Sequence, residues 1–299
     1  MTLRLPDIDP VLIALGPVKI RWYALAYVAG IVLGWLHAGR LLKKPELWPG
    51  NKPPLTADQL DDLILWLTGG VILGGRIGYI LAYDASIIWH HPLDVFKVWE
   101  GGMSFHGGFT GVLIAAVLWC RRNRFGFNSA LSLGDLLATV APLGLLFGRV
   151  ANFVNGELWG RVTHEPWGMV FCNKYIIAQY SGTCPAGELP RHPSQLYEAL
   201  GEGLIMFALL WFLGQRLYRL KRPGLIMGIF IAGYAVIRIL VELVRNPDEQ
   251  MLGFFKNVIT MGQLLSIPML IGGGWLIWRA LKPELPQVAA VSDSKTPAA

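Results

Sequence analysis

Charge is what this sequence has least of: Asp, Glu, Lys and Arg make up 15% of its 299 residues and hydrophobic residues 54%. A soluble domain carries roughly 25% charge, so water is not the only solvent of this chain. Cysteine is scarce as well. Three residues exclude a disulfide-built scaffold, and none stands among partners that would mark a nucleophile. Residues 1–19 show no basic start followed by an apolar core and a small-residue cleavage site, so no removable signal peptide is expected. The chain lacks an internal repeat, which weighs against transporters built from duplicated halves. It also lacks a His-Glu-x-x-His site and any Asp-rich metal motif, so metalloprotease and cation-dependent alcohol phosphotransferase chemistry would be without ligands.

What is present is a series of apolar runs: 22–36, 62–82, 103–120, 131–147, 204–214, 224–244 and 258–278. A helix crosses the hydrocarbon core with about 20 such residues, or about 17 at the short limit. The first and fifth runs reach that length once their flanks are counted. The sequence therefore predicts an all-α polytopic membrane protein of about seven transmembrane helices, with residues 1–282 as one transmembrane domain. Residues 283–299, rich in Ala, Pro and Ser, are expected to form a disordered cytoplasmic tail.

The net charge of +6 would suit nucleic acid, but the basic residues sit in short loops beside the spans, which argues against that partner. Arg40, Lys43, Lys44 and Lys52 follow the first span, Arg121, Arg122 and Arg124 the third, and Arg216, Arg219, Lys221 and Arg222 the fifth. The positive-inside rule places these loops in the cytoplasm. Residues 84–102 and 245–257 are poorer in Lys and Arg and face outside with the N-terminus, whereas the C-terminus, with Arg279 and Lys282, is inside. The longest loop, 155–195, is then external and carries Cys172 and Cys184. An oxidising exterior permits a bond between them; two unrelated small side chains are the other reading, and both stay open.

Counting from the outer span ends at about 1.5 Å per residue collects the ionisable residues of the spans at one level. His106 is within a turn of the surface, Arg149 and Asn152 lie in the last two turns of the fourth span, and Tyr234, Arg238 and Glu242 occupy the outer half of the sixth. Tyr23 and Arg76 belong to the same level. A charge in lipid costs roughly 2.5 to 3.5 kcal/mol on insertion scales, so several in one layer imply a shared cavity. Tyr234, Arg238 and Glu242 recur every four residues and share a helix face. For single residues a plain reading competes: Arg snorkels to headgroups, Tyr joins interfacial belts, and Glu242 simply neutralises Arg238.

Glycine is abundant, 35 residues against about 21 at average usage. Gly69 to Gly78 suit close helix packing. Gly101, Gly102, Gly107, Gly108 and Gly111 surround His106 at a helix start, where backbone N–H groups would meet a phosphate or the chain would bend. In Arg191-His192-Pro193-Ser194-Gln195, Ser194 is read as the cap of the fifth span rather than as a nucleophile.

Three stretches carry a resemblance: Gly101 to Gly108 (GGMSFHGG), Gly148 to Arg161 (GRVANFVNGELWGR) and Arg191 to Glu198 (RHPSQLYE). With Gly16-Pro17, Arg21-Trp22-Tyr23 and the run 234–245, they make the chain similar, over residues of about 10 to 280, to the phosphatidylglycerol–prolipoprotein diacylglyceryl transferase family. The Arg149 to Arg161 block is the specific part; a bare His-Gly-Gly would not be. The resemblance implies a bacterial inner-membrane enzyme whose catalytic domain, 1–282, is a seven-span bundle with an external head between the fourth and fifth spans. It implies transfer of the diacylglyceryl group of phosphatidylglycerol to the lipobox cysteine of preprolipoprotein signal peptides, forming a thioether and releasing glycerol phosphate. The partners are those two substrates and the surrounding membrane lipid, with no metal or organic cofactor.

That reaction needs thiol deprotonation and a stabilised phosphate. Arginine binds phosphate oxygens bidentately and keeps its proton, so Arg149 is expected at the headgroup phosphate and Arg238 there or at the leaving group, with Asn152 adding neutral hydrogen bonds. His106 is the leading base, although cations alone would lower a thiol pKa. Glu157 and Glu242 would orient or neutralise the arginines, Tyr23 would hold a glycerol hydroxyl or lipobox backbone, and Gly160 and Tyr234 complete the expected substrate-binding set. The rival reading, a transporter or channel with an anion site, would place polar groups near the midplane in duplicated broken helices, whereas these are shallow and unrepeated.

Overall fold

The computed structural model describes residues 3–16, 18–98, 102–246 and 260–282. The tail 283–299 and most of the loop 245–257 lie outside the described residues. Seven long helices dominate: α1 (Trp22–Leu42), α2 (Ala57–Tyr83), α3 (Phe105–Arg122), α4 (Phe127–Val154), α5 (Ser194–Arg216), α6 (Leu225–Glu242) and α7 (Met261–Leu281). Among the described residues six of them are long and apolar enough to cross a membrane. The remaining one, α3, has 18 residues and is diluted by His106, Gly107, Gly108, Gly111, Arg121 and Arg122. The apolar runs thus mark the helices but understate them: the run 131–147 is the middle of α4, and 204–214 is the second half of α5.

The helices alternate in direction, as side-chain pairs between their ends show. Late α1 meets early α2 where Trp35 Nε1 donates to Asp61 Oδ1 at 2.7 Å. Early α2 meets late α3 through Trp119 Nε1 and Asp62 Oδ2, also 2.7 Å. Early α4 meets the start of α6 through Asp135, and the end of α7 returns to early α4 where Arg279 donates to Asn128 Oδ1 at 2.6 Å. One end of the bundle therefore holds the start of α1, the end of α2 and the start of α3. It also holds the ends of α4 and α6 and the start of α7.

Helix ends are fixed by local chemistry. Thr56 with Gln59 and Thr260 with Gln263 form capping boxes at α2 and α7, and Ser104 Oγ accepts from Gly107 N at 3.3 Å. At α6 the residue before the helix is Gly224, in a left-handed conformation at φ 89° and unable to cap. The fully buried Asp135 of α4 takes over, accepting from Gly224 N and Met227 N at 2.7 Å each. Ser194 begins α5 as expected, but its hydroxyl donates to the Leu158 carbonyl at 2.9 Å instead of capping, because Leu158 approaches closely enough to take the proton.

The α2–α3 pair is a glycine zipper. Gly70, Gly74 and Gly78 repeat every four residues on α2 and oppose Gly107 and Gly111 on α3. A Cβ on Gly70 would lie 2.6 Å from the Gly111 carbonyl oxygen, and one on Gly78 2.6 Å from the Gly107 Cα. The glycines after His106 thus serve packing, and the Gly107 N–H is taken by Ser104.

Two short pairings occupy the end where α1 begins. Val11–Leu15 (β1) and Val18–Arg21 (β2) form an antiparallel hairpin leading into α1. Leu3–Arg4 pairs in parallel with Met169–Val170 in the connection between α4 and α5. That connection is a lobe with its own small core of Leu5, Phe171, Ile176 and Ala186, and Cys172 is disulfide-bonded to Cys184. Elsewhere the core is a continuous band including Leu63, Trp119, Leu136 and Leu210, while Leu65, Leu73, Leu81 and Ile271 are exposed on the perimeter.

The zipper gives a direct test. Gly74→Val should cost about 1–3 kcal/mol of stability, read as a lowered Tm of the purified full chain, whereas Gly69→Val should cost far less because nothing lies within 4 Å of its Cβ position. Equal losses in the two variants would mean that helix propensity, not the zipper, sets the effect.

Candidate active site

At the end of the bundle where α1 begins, α4, α5 and α6 meet around a buried carboxylate, Glu198, and all charged partners of that contact come from within or just beyond helices. Glu198 Oε1 is 2.5 Å from Arg238 Nη1 and 3.1 Å from Arg245 Nη1, while Oε2 is 3.2 Å from Arg149 Nη1. Arg149 Nη2 reaches Glu202 Oε2 at 3.3 Å, and Arg238 Nη2 reaches Glu242 Oε1 at 2.5 Å. Glu198 and Glu202 are fully buried and Glu242 nearly so. Three guanidinium groups and three carboxylates thus form one chain in which no charge is left alone, the condition for holding them in a low-dielectric layer.

Glycines make this approach possible. Between Ala199 and Ile205 the helix widens into π geometry, a feature frequent at functional sites. There, a Cβ on Gly201 would sit 2.8 Å from Ile237 Cγ2 and one on Gly203 2.7 Å from Leu146 Cβ, so α5 presses on α6 and α4 beside Glu202. Gly262 of α7 lies over the Arg238–Glu242 pair, where a Cβ would be 3.0 Å from Arg238 Nε.

A second, mostly neutral branch adjoins the first. Asn152 Nδ2 donates to Tyr23 Oη at 2.7 Å and to Glu157 Oε1 at 2.8 Å, which joins α1 to the end of α4. Gln195 Nε2 donates to the Glu157 carbonyl at 2.5 Å. Tyr234, half-buried one turn before Arg238, has Arg149, Glu198, Glu202 and Arg238 as electrostatic neighbours. Backbone bonds close the arrangement: Gly160 N donates to the His192 carbonyl at 2.9 Å and Arg161 N to Val244 at 2.8 Å, with Arg161 Nε on the Arg245 carbonyl at 3.0 Å. A Cβ on Gly160 would lie 2.6 Å from the Val244 oxygen, so close backbone packing accounts for glycine there.

The structure therefore brings Tyr23, Arg149, Asn152, Glu157, Tyr234, Arg238 and Glu242 into one assembly, with Gly160 at its edge. Among the described residues His106 makes no hydrogen bond or ion pair with it. It is exposed at the start of α3 at the same end of the bundle, with its ring edge-on to Phe105 at 5.8 Å between centroids. Arg76 is a loop clamp: Nε donates to the Val95 carbonyl at 3.0 Å, Nη1 to Gly102 at 3.1 Å, and Nη2 to Asp94. Sequence reasoning missed Glu198, Glu202 and Arg245 as members. The signal for the first two was two carboxylates four residues apart, both required if a span near 20 residues is to be drawn around 204–214.

The sequence matches the family model of the prolipoprotein diacylglyceryl transferases over residues 10–279. Curated relatives named phosphatidylglycerol–prolipoprotein diacylglyceryl transferase include those of Phenylobacterium zucineum, 53% identical with 96% of this chain and 98% of the relative covered, and of Caulobacter sp. strain K31, 53% identical with 94% and 96% covered. The relative from Nitrobacter hamburgensis is 50% identical, with 98% of this chain and 97% of its own length covered.

Glu198→Gln should take away the carboxylate that three buried guanidinium groups share, leaving Arg149 with Glu202 and Arg238 with Glu242. Removing one partner of a buried pair costs about 3–5 kcal/mol, and the Tm of the purified chain should fall accordingly, whereas Asp94→Asn, which weakens a solvent-accessible contact with Lys97, should leave it in place. An unchanged Tm for Glu198→Gln would show that the carboxylate does not hold the network together.

Proposed function

The chain belongs to the prolipoprotein diacylglyceryl transferase family, and we propose that it moves the diacylglyceryl group of phosphatidylglycerol onto the thiol of a lipobox cysteine in a preprolipoprotein signal peptide. The observation that carries this reading is the arginine layer. Arg149 lies five residues before the end of α4 and Arg238 four before the end of α6, about 8 Å and 6 Å deep at 1.5 Å per residue. That depth suits a lipid phosphate already in the leaflet, and a family of transferases gives no support to a transporter.

In the proposed reaction the cysteine sulfur attacks the glyceryl carbon, the carbon–oxygen bond to phosphate breaks, and glycerol phosphate leaves with the bonding electrons. Arg149 holds the headgroup phosphate and Arg238 the charge that grows on the leaving group, where planar donors act without losing a proton. Their carboxylate partners fix the guanidinium planes before substrate arrives, so little reorganisation is needed as charge develops. Asn152 and Tyr23 offer neutral hydrogen bonds to the glycerol or the lipobox backbone, with Glu157 orienting Asn152. His106, at the same end of the bundle, is proposed to take the thiol proton when the signal peptide is presented beside α3; Tyr234 and Gly160 shape the binding surface.

The same reading takes α3 as a seventh span and puts the network end outside. The basic residues Arg40, Lys43, Lys44, Arg121, Arg122, Arg216 and Arg219 all collect at the opposite end, the cytoplasmic one under the positive-inside rule. The lobe carrying the Cys172–Cys184 bond is then the external head, in an oxidising compartment, on an enzyme of the bacterial inner membrane.

Arg149→Ala should abolish the diacylglyceryl mass increment on a lipobox peptide incubated with phosphatidylglycerol, and Arg149→Lys should keep the fold yet lose at least about 100-fold in turnover. Full turnover by Arg149→Lys would remove the bidentate clamp. His106→Gln should slow transfer and alter the acidic limb of the pH–rate profile; an unchanged limb with substantial activity would pass proton removal to the cations alone. Topology is tested by Tyr175→Cys in a Cys120→Ala background, which membrane-impermeant thiol reagents should label from outside in intact cells. Labelling only after inner-membrane disruption would invert the orientation.

A further inference from the structure

At the end of the bundle away from the arginine network, α1 and α5 border a cavity of about 380 Å3 lined by His37, Arg40, Lys43, Lys44, Trp211 and Gln215. Arg40, Lys43 and Lys44 are exposed, and among the described residues none of them has a carboxylate partner. Basic residues at the end of a span follow from charge asymmetry and by themselves mark a solvated face. Here they are arranged around a hollow with ordered walls. Lys44 Nζ donates to Gln215 Oε1 at 2.8 Å, which pins its ammonium across the gap between the two helices. Half-buried His37 lies edge-on to Phe207 with centroids 5.2 Å apart, bracing the same gap one turn deeper. Trp211 is 38% exposed with the Arg216 guanidinium 5.6 Å over its ring, an indole and a cation set at the level where α5 leaves the apolar layer.

We propose that this cavity is a binding site for the phosphate headgroup of an anionic glycerophospholipid in the leaflet opposite the arginine network. A guanidinium and two ammonium groups that form no salt bridge among the described residues supply the charge complement of a phosphodiester, and the volume is within the range of small-ligand pockets. The occupant is a lipid rather than free phosphate because the flanking helix faces expose Leu33, Leu36 and Phe212, which give acyl chains an apolar surface continuous with the headgroup site. Trp211 provides the amphipathic wall at the glycerol level. Bound there, the lipid bridges α1 and α5 at the end where Lys44 reaches Gln215 across the gap, a role separate from the transfer reaction.

The test uses the purified full chain in detergent, titrated with phosphatidylglycerol, phosphatidylcholine or inorganic phosphate and observed by native mass spectrometry. Arg40→Gln/Lys43→Gln/Lys44→Gln should lose one phosphatidylglycerol-binding event, or weaken it at least tenfold, while phosphatidylcholine adducts stay unchanged. A photoreactive phosphatidylglycerol headgroup should label peptides covering 37–44 and 211–216 in the wild type and not in the triple variant. Arg40→Lys/Lys43→Arg/Lys44→Arg, which keeps the charge, should retain the event and guards against misfolding of the neutral variant. Competition by millimolar inorganic phosphate as strong as that by lipid would overturn the lipid assignment. An unchanged phosphatidylglycerol count and affinity in the neutral variant would overturn the site.

Discussion

The Glu198 carboxylate is the contact on which the rest depends. It is fully buried and touches guanidinium groups from α4, from α6 and from the segment just past α6, so three separate parts of the chain meet at two oxygen atoms. A carboxylate without cations at that depth would be neutralised or expelled, and cations without the carboxylate would be as costly. The two requirements solve each other only if α5 comes close enough, which is what Gly201, Gly203 and the widened turn between Ala199 and Ile205 allow. Packing and electrostatics are therefore one constraint here. A Cβ on Gly203 would move the charge as well as the helix.

The lobe between α4 and α5 extends that constraint beyond the bundle. Gly160, Arg161 and His192 bond to one another and to Val244 through their backbones, and Arg161 reaches the Arg245 carbonyl. The residue that carries the third guanidinium to Glu198 is thus held from the lobe side as well as by its own helix. Leu3–Arg4 pairs with Met169–Val170, and Asn173 Nδ2 donates to the Pro6 carbonyl at 2.9 Å, so the start of the chain is fastened to the same lobe. The chain then runs through the hairpin into α1 and delivers Tyr23 to Asn152. Residues far apart in sequence converge because both routes end on the lobe.

Much of this was legible in the sequence, and for a definite reason. In a membrane bundle the alternation of helix direction converts sequence position into depth, so Tyr23, Arg149, Asn152, Arg238 and Glu242 could be assigned to one end before any contact was known. The same arithmetic failed for Glu198 and Glu202 because the fifth span was drawn from its apolar run, 204–214, and both carboxylates fell before its start. Asp135 was passed over inside an apolar run, yet a carboxylate there with no cation within a turn needs donors from elsewhere, and the uncapped N-terminus after Gly224 provides them. The glycines after His106 were ambiguous because close packing and anion binding call for the same residue. Only the facing Gly74 and Gly78 decide between them. Depth is written in one dimension, whereas azimuth, which decides which residues at one level meet, is not.

The two ends of the bundle treat positive charge in opposite ways, and the solvent at each depth explains the difference. At the network end Arg149, Arg238 and Arg245 are largely buried within two turns of helix ends, and each is matched to a carboxylate of the chain itself. At the other end Arg40, Lys43 and Lys44 are exposed, and among the described residues no carboxylate pairs with them. Inside the apolar layer the counterion must be covalently present, since nothing else arrives at low cost during folding. At the interface, phosphate headgroups are already at hand and draw basic side chains toward them. A cation matched by protein is held in a fixed orientation even when no substrate is bound, which suits stabilising charge that develops during a reaction. A cation left to the lipid is positioned only when lipid is present, which suits anchoring. The pattern of pairing thus distinguishes the proposed transfer site from the proposed lipid site on the same seven helices.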